Sequence, residues 1–123
     1  MKKFFLLLLM PALFSCYENE RNCADFRTGK FKCEHTVNGK VETTLFERTE
    51  DLEMETYNGK TDTSSVRWTN DCEYILKKIN PKNMEEQKAV AMKILSTTKD
   101  SYTFEFNIVG SATKQKGKVT KLN

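Results

Sequence analysis

Phe31-Lys32-Cys33-Glu34-His35-Thr36-Val37-Asn38-Gly39-Lys40-Val41-Glu42-Thr43-Thr44-Leu45-Phe46-Glu47-Arg48 is the stretch that decides the fold class. Phe31, Cys33, His35 and Val37 alternate with Lys32, Glu34 and Thr36, the period of two that puts one set of side chains on one face of a strand. Asn38-Gly39 follows. A two-residue type I′ turn needs positive φ at both central positions, and Asn-Gly meets that need best. Lys40 to Arg48 then returns, rich in Val, Thr, Leu and Phe, so the two segments read as a β-hairpin.

The same grammar continues downstream. Glu50-Asp51 turns the chain into Leu52 to Tyr57, a second Asn58-Gly59 follows, and Lys60 to Thr69 returns with Val66 and Trp68 on one face. Asn70-Asp71 leads into Cys72 to Ile79, which completes a five-strand meander. Asn80-Pro81 carries helix-opening chemistry, Asn as cap and Pro at the first helical position. One reading runs a single helix to Leu95, with Met84, Ala91, Met92 and Leu95 on its face. The preferred reading has a short helix near 81–88, then a strand from Val90 to Thr98 that turns at Lys99-Asp100. Tyr102, Phe104, Phe106 and Ile108 alternate with Thr103, Glu105 and Asn107 in the clearest strand of the chain. Lys116 to Leu122 is a lysine-rich strand suited to an edge or to closure. The expectation is an all-β, mainly antiparallel meander of seven or eight strands with that one short helix. It forms a lipocalin-like, small up-and-down barrel, or else a strongly curved sheet.

Upstream, Met1-Lys2-Lys3 precedes an apolar run from Phe4 to Phe14, eleven residues including Pro11. That is too short for the roughly 20 residues that span a bilayer, and it has the plan of an export signal. Leu13-Phe14-Ser15-Cys16 resembles the bacterial lipobox, which implies cleavage after Ser15 and lipid on Cys16. Residues 1–15 then form the signal, 16–28 a lipidated tether that becomes ordered near Cys23 and Phe26, and 29–123 one β-rich domain. Two or more acyl chains give stable anchoring, so the expected partner is a membrane. Tyr17 after the cysteine favours delivery to the outer membrane.

The formal charge of +3 contains Lys2 and Lys3. Without them 18 basic residues face 17 acidic ones, interspersed, which leaves no basic patch for nucleic acid. An exported chain permits disulfides. Cys23 and Cys72 lie in polar boundary segments and are read as a pair, closing a loop of about 50 residues for which chain entropy gives about 4 kcal/mol. Cys33, beside Phe31 on the inward face, is read as a buried free thiol.

Little of the sequence spells out chemistry. His35, the single histidine, alternates with Phe31 and Cys33 as a half-buried structural residue, and a Cys33 and His35 dyad would lack a third member. Glu47, Glu50, Asp51, Glu53 and Glu55 make an acidic stretch, but Glu53 and Glu55 alternate with Leu52 and Met54 as a solvated face does, and the spacing of a calcium loop is absent. No catalytic residue, metal or cofactor is expected. If the sheet closes, Trp68, Tyr74, Tyr102, Phe104 and Phe106 are the candidate pocket, although a barrel this small is usually filled by its own side chains.

The segments Cys23-Ala24-Asp25-Phe26-Arg27-Thr28-Gly29-Lys30-Phe31, Lys60-Thr61-Asp62-Thr63-Ser64-Ser65-Val66-Arg67-Trp68, Asn70-Asp71-Cys72-Glu73-Tyr74-Ile75-Leu76 and Ser101-Tyr102-Thr103-Phe104-Glu105-Phe106 together resemble a family of small lipoproteins from flavobacteria and other Bacteroidota. The resemblance covers essentially the whole chain and implies pairing of the cysteines at 23 and 72. Some members carry the name DNA topoisomerase IV. That activity needs an ATPase domain, a magnesium-binding carboxylate cluster and a tyrosine in a DNA-gripping domain, none of which fits in 108 exported residues. The expected function is that of a lipid-anchored envelope protein with a non-catalytic binding or structural role. The alternatives are a lipocalin-like carrier of an apolar ligand and an inhibitor of an envelope-directed enzyme such as lysozyme.

Overall fold

A computed structural model describes residues 21–123; the expected signal and the expected lipidation site at Cys16 lie outside the described residues. After a 3₁₀ turn at Cys23–Phe26 the chain forms eight strands: β1 Gly29–Val37, β2 Lys40–Arg48, β3 Leu52–Tyr57, β4 Lys60–Asn70, β5 Glu73–Lys78, β6 Val90–Thr97, β7 Ser101–Ile108 and β8 Gln115–Lys121. Each pairs antiparallel with the next, and β8 returns to β1 through Phe31 opposite Lys121 and Cys33 opposite Val119. The sheet is therefore a closed up-and-down barrel. Closure satisfies every edge strand, which settles β8 as a closing strand rather than an exposed edge.

Both Asn-Gly pairs turn as their chemistry requires. Asn38 and Gly39 have φ of 52° and 79°, Asn58 and Gly59 of 52° and 77°, and Val37 pairs with Lys40 as Tyr57 pairs with Lys60. Those two-residue turns lie at one end of the barrel with the 79–89 and 109–114 connections. At the opposite end lie the 49–51, 71–72 and 98–100 turns, the start of β1 and the 3₁₀ turn.

That second end is plugged. Phe26 has no exposed surface and packs edge-on against Tyr102, with ring centroids 5.2 Å apart, over Phe31, Ile94 and Val119. A disulfide between Cys23 and Cys72, Cα atoms 5.4 Å apart, ties the 3₁₀ turn to the β4–β5 turn. The Cys72 carbonyl also accepts from the Ile94 amide at 2.8 Å. Cys23 and Phe26, near which the sequence reading has the tether become ordered, are part of the core.

The 81–88 helix does not form. Asn83 Oδ1 accepts from the Glu86 amide at 2.9 Å and Glu86 Oε1 accepts from the Lys82 amide at 3.0 Å, so Asn83 caps the segment rather than Asn80. Beyond that cap, Gln87 and Lys88 reach only three residues back, to Met84 and Glu85. The Ala89 carbonyl is then taken by the Val109 amide. Sheet pairing begins before a second turn of helix can propagate, and a single turn carries the nucleation cost without the gain. Residues 90–97 are strand, as the preferred reading had it.

Outward positions include Lys32, Glu47, Arg67, Lys93, Glu105 and Lys118, which alternate with the inward Phe31, Phe46, Val66, Ile94, Phe104 and Val119. This charged wall is the reverse of the apolar band that a barrel shows to lipid. Among the described residues no helix is long and apolar enough to cross a membrane.

Candidate functional site in the barrel interior

Residues directly opposite in an antiparallel pair share a face. Thr44, Phe46 and Arg48 are the buried positions of β2, and opposite them stand Cys33 and Phe31 on one side, Glu55 and Glu53 on the other. Glu53 and Glu55 therefore point into the barrel, contrary to the solvated face expected of them. The physical reason is the register fixed by the short 49–51 turn, which places Arg48 directly opposite Glu53. Once Phe46 and Arg48 are committed inward, β3 has no choice of phase, and its Leu52 and Met54 take the outer wall.

Arg48, 1% exposed, forms the floor. Its Nε–H donates to the Arg27 carbonyl at 3.1 Å. Nη1 donates to Glu53 Oε1 at 2.9 Å and to the Tyr74 hydroxyl at 3.0 Å, and Nη2 to the Phe26 carbonyl at 2.6 Å and the Tyr102 hydroxyl at 3.3 Å. A guanidinium has five N–H donors, and here all five have acceptors. Its carbon also lies 4.7 Å from the Phe31 ring centroid and 4.8 Å from that of Tyr74, within cation–π range.

The electrostatics follow from this burial. Desolvation lowers the tendency of Arg48 to hold its proton, but Tyr74, Tyr102 and Glu53 outweigh it, and the guanidinium is held more firmly charged than usual. Burial raises both tyrosine hydroxyls, against the pull of Arg48. Burial also pushes the Glu53 carboxyl up while Arg48 draws it down and Glu55 adds to the rise. Cys33 is a free thiol; burial pushes it up and the charges of Glu55, Glu53 and Glu34 push it further. The thiol is therefore kept protonated, which is the unreactive form.

Above this floor the barrel is not filled. A cavity of about 610 Å³ is bounded by Tyr74, Tyr102, Phe104, Phe106, Met92 and Phe46 together with Cys33, Thr44, Glu53 and Glu55. It continues into a recess of about 310 Å³ under the 79–89 connection, where Glu53, Glu55, Leu76 and Val90 again contribute wall. Gly117 makes part of this shape. A Cβ there would stand 2.6 Å from Cζ of Phe104, so the absence of a side chain lets that ring lie back against β8 instead of across the cavity.

Four of the five aromatics singled out from the sequence, Tyr74, Tyr102, Phe104 and Phe106, border this space. Trp68 does not. It sits at the plugged end, its ring 4.5 Å from Tyr74 and 4.5 Å beneath the Arg27 guanidinium, because β4 ends beside the disulfide-bearing turn. The acidic stretch is likewise divided: Glu50 pairs with Arg27 on the surface at 3.8 Å, and only Glu53 and Glu55 enter the barrel. The side chain of His35, and with it the Cys33 and His35 dyad, lies outside the described residues. Among the described residues no group of three or more His, Cys, Asp or Glu comes together to hold a metal ion. Sequence reasoning missed Arg48 and Glu53 as a buried pair, although they lie two residues either side of Glu50-Asp51, each in strand alternation.

No family model, no curated protein and no solved structure matches the chain. The interior must be read from its own residues.

Proposed function

We propose that this chain is a lipid-anchored envelope protein whose barrel holds a small molecule in its interior, a binding role without catalysis. The carrying observation is the 610 Å³ space walled by aromatic rings and open away from the plugged end. Ligand sites typically occupy about 300–1,000 Å³ and combine apolar walls with a few placed polar groups. Arg48 rigidifies the floor and leaves the upper half of the barrel for an occupant.

The position of the plug supports the same reading. Arg21 and Asn22 enter the fold at the plugged end, through Ile94 O and Thr97 Oγ1. Four residues lie between Cys16 and Arg21, so five residue steps give a contour of at most about 18 Å. Lipid on Cys16 would hold the plugged end toward the membrane and present the open mouth to the surrounding compartment. An inhibitor of an envelope-directed enzyme would instead work through an exposed loop and would have no use for an unfilled interior.

The test is a fluorescence titration with N-phenyl-1-naphthylamine, a neutral apolar probe, on the full chain carrying Cys16→Ser so that no micelle is needed. One probe should bind per chain, with blue-shifted, enhanced emission. An emission unchanged by the protein would overturn the reading.

A further inference from the structure

The interior charges choose among ligands. Among the described inward side chains around the main cavity the charged groups are Arg48, Glu53 and Glu55, two carboxylates against one guanidinium; the recess adds Lys78 and Lys88, which pair with Glu86 at 3.8 Å and Glu85 at 3.5 Å. Glu34 and Lys116 border the same space, but they alternate outward from Cys33 and Gly117, and Glu34 lies 4.0 Å from Lys32 on the outer wall. Arg48 offers an anion nothing, because each of its five N–H groups already has an acceptor within the protein. At the mouth, Lys78 is held between Asp62 at 3.4 Å and Glu86 at 3.8 Å, and Glu42 accepts from the Tyr57 hydroxyl.

Aromatic walls act in the same sense. The faces of Tyr102, Phe104 and Phe106 carry the negative side of the ring quadrupole, which attracts cations within about 6 Å. At Glu53, whose side chain is 12% exposed, these attractions are less screened than at a surface, and Glu55 stands nearer the solvent. The raised thiol of Cys33, whose causes after burial are all carboxylates, senses the same negative field. Resting on the reading of the cavity as a ligand site, we infer that its ligand is a cationic amphiphile, an organic amine with an aromatic or aliphatic body, its ammonium directed at Glu53 and Glu55 and its body against Phe104 and Phe106.

A matched series tests this. 1-Naphthylmethylammonium, 1-naphthalenemethanol and 1-naphthaleneacetate share a ring and differ in charge, and each is titrated against N-phenyl-1-naphthylamine bound to the Cys16→Ser chain. The ammonium should displace the probe at a concentration at least tenfold lower than the alcohol, and the acetate should be weakest. In Glu55→Gln the advantage of the ammonium over the alcohol should fall to about threefold or less; a ratio between isosteres is not imitated by a general loss of binding. Equal displacement by all three in the unaltered interior would sink the cationic assignment while leaving the cavity as a site. Preference for the acetate would do the same. Failure of the probe itself to bind removes both readings together.

Discussion

Arg48→Ala should destabilise the protein by about 3–5 kcal/mol, the cost of removing one partner from a buried ion pair, read as a shift of the urea midpoint at unchanged slope. The side chain that leaves takes donors from Glu53, the hydroxyls of Tyr74 and Tyr102, and the carbonyls of Phe26 and Arg27. Glu53 would remain as a buried carboxylate without its guanidinium, and the 3₁₀ plug would lose both of its ties to β2. Arg48→Lys should restore less than half of the loss, because an ammonium has three donors on a point charge and cannot reproduce the planar fork. Arg48→Met with Glu53→Gln removes both charges together and should be less harmful than Arg48→Ala. Native stability retained within 1 kcal/mol in Arg48→Ala would show that the floor is held by apolar packing alone.

Loss of the disulfide should cost a similar amount. Cys23 and Cys72 are separated by 49 residues, and the chain-entropy model gives about 4 kcal/mol for a loop of that length. Domains of this size are stabilised by only about 5–15 kcal/mol, so reduction with dithiothreitol should lower the urea midpoint severely. Cys23→Ser with Cys72→Ser should match the reduced wild type and respond no further to reductant. A midpoint indifferent to reductant would mean that the plug is fixed without the bond. Phe26, fully buried against Tyr102, would then carry that task, since burial of such a ring contributes about 2–3 kcal/mol.

The parts of this architecture that were legible in the sequence are those decided by local chemistry. Asn38-Gly39 and Asn58-Gly59 demand hairpins because few other pairs accept positive φ twice in succession. Ser101 to Ile108 reads as strand because its aromatics alternate without interruption. Cys23 and Cys72 stand at two boundary segments that the fold brings together at one end.

What escaped sequence reasoning is decided by closure. Leu52-Glu53-Met54-Glu55 taken alone is an apolar-in, acidic-out strand, and the pattern inverts only when Arg48 across a short turn commits its neighbour's phase, since a one-residue change of register exchanges the two faces. The helix near 81–88 failed for a comparable reason: its opening signals are real, and Asn83 does cap, but β6 claims the chain at Val90. Trp68 packs on Tyr74 but lies on its plugged side, beside the disulfide turn and out of the cavity, a placement that linear alternation does not express.

The first of these corrections bears on function. With Glu53 and Glu55 outside, the barrel would be a plain apolar container. With them inside, it is a container with a charged floor and walls that are part carboxylate and part aromatic.

The most direct measurement is an amide correlation spectrum of the isotopically labelled Cys16→Ser chain during titration with N-phenyl-1-naphthylamine. The account predicts shifts concentrated at Cys33, Glu55, Met92, Phe104, Phe106 and Gly117, saturating at one probe per chain. Shifts spread over the outer wall at Lys32, Arg67 and Lys118, or an unperturbed spectrum, would contradict it.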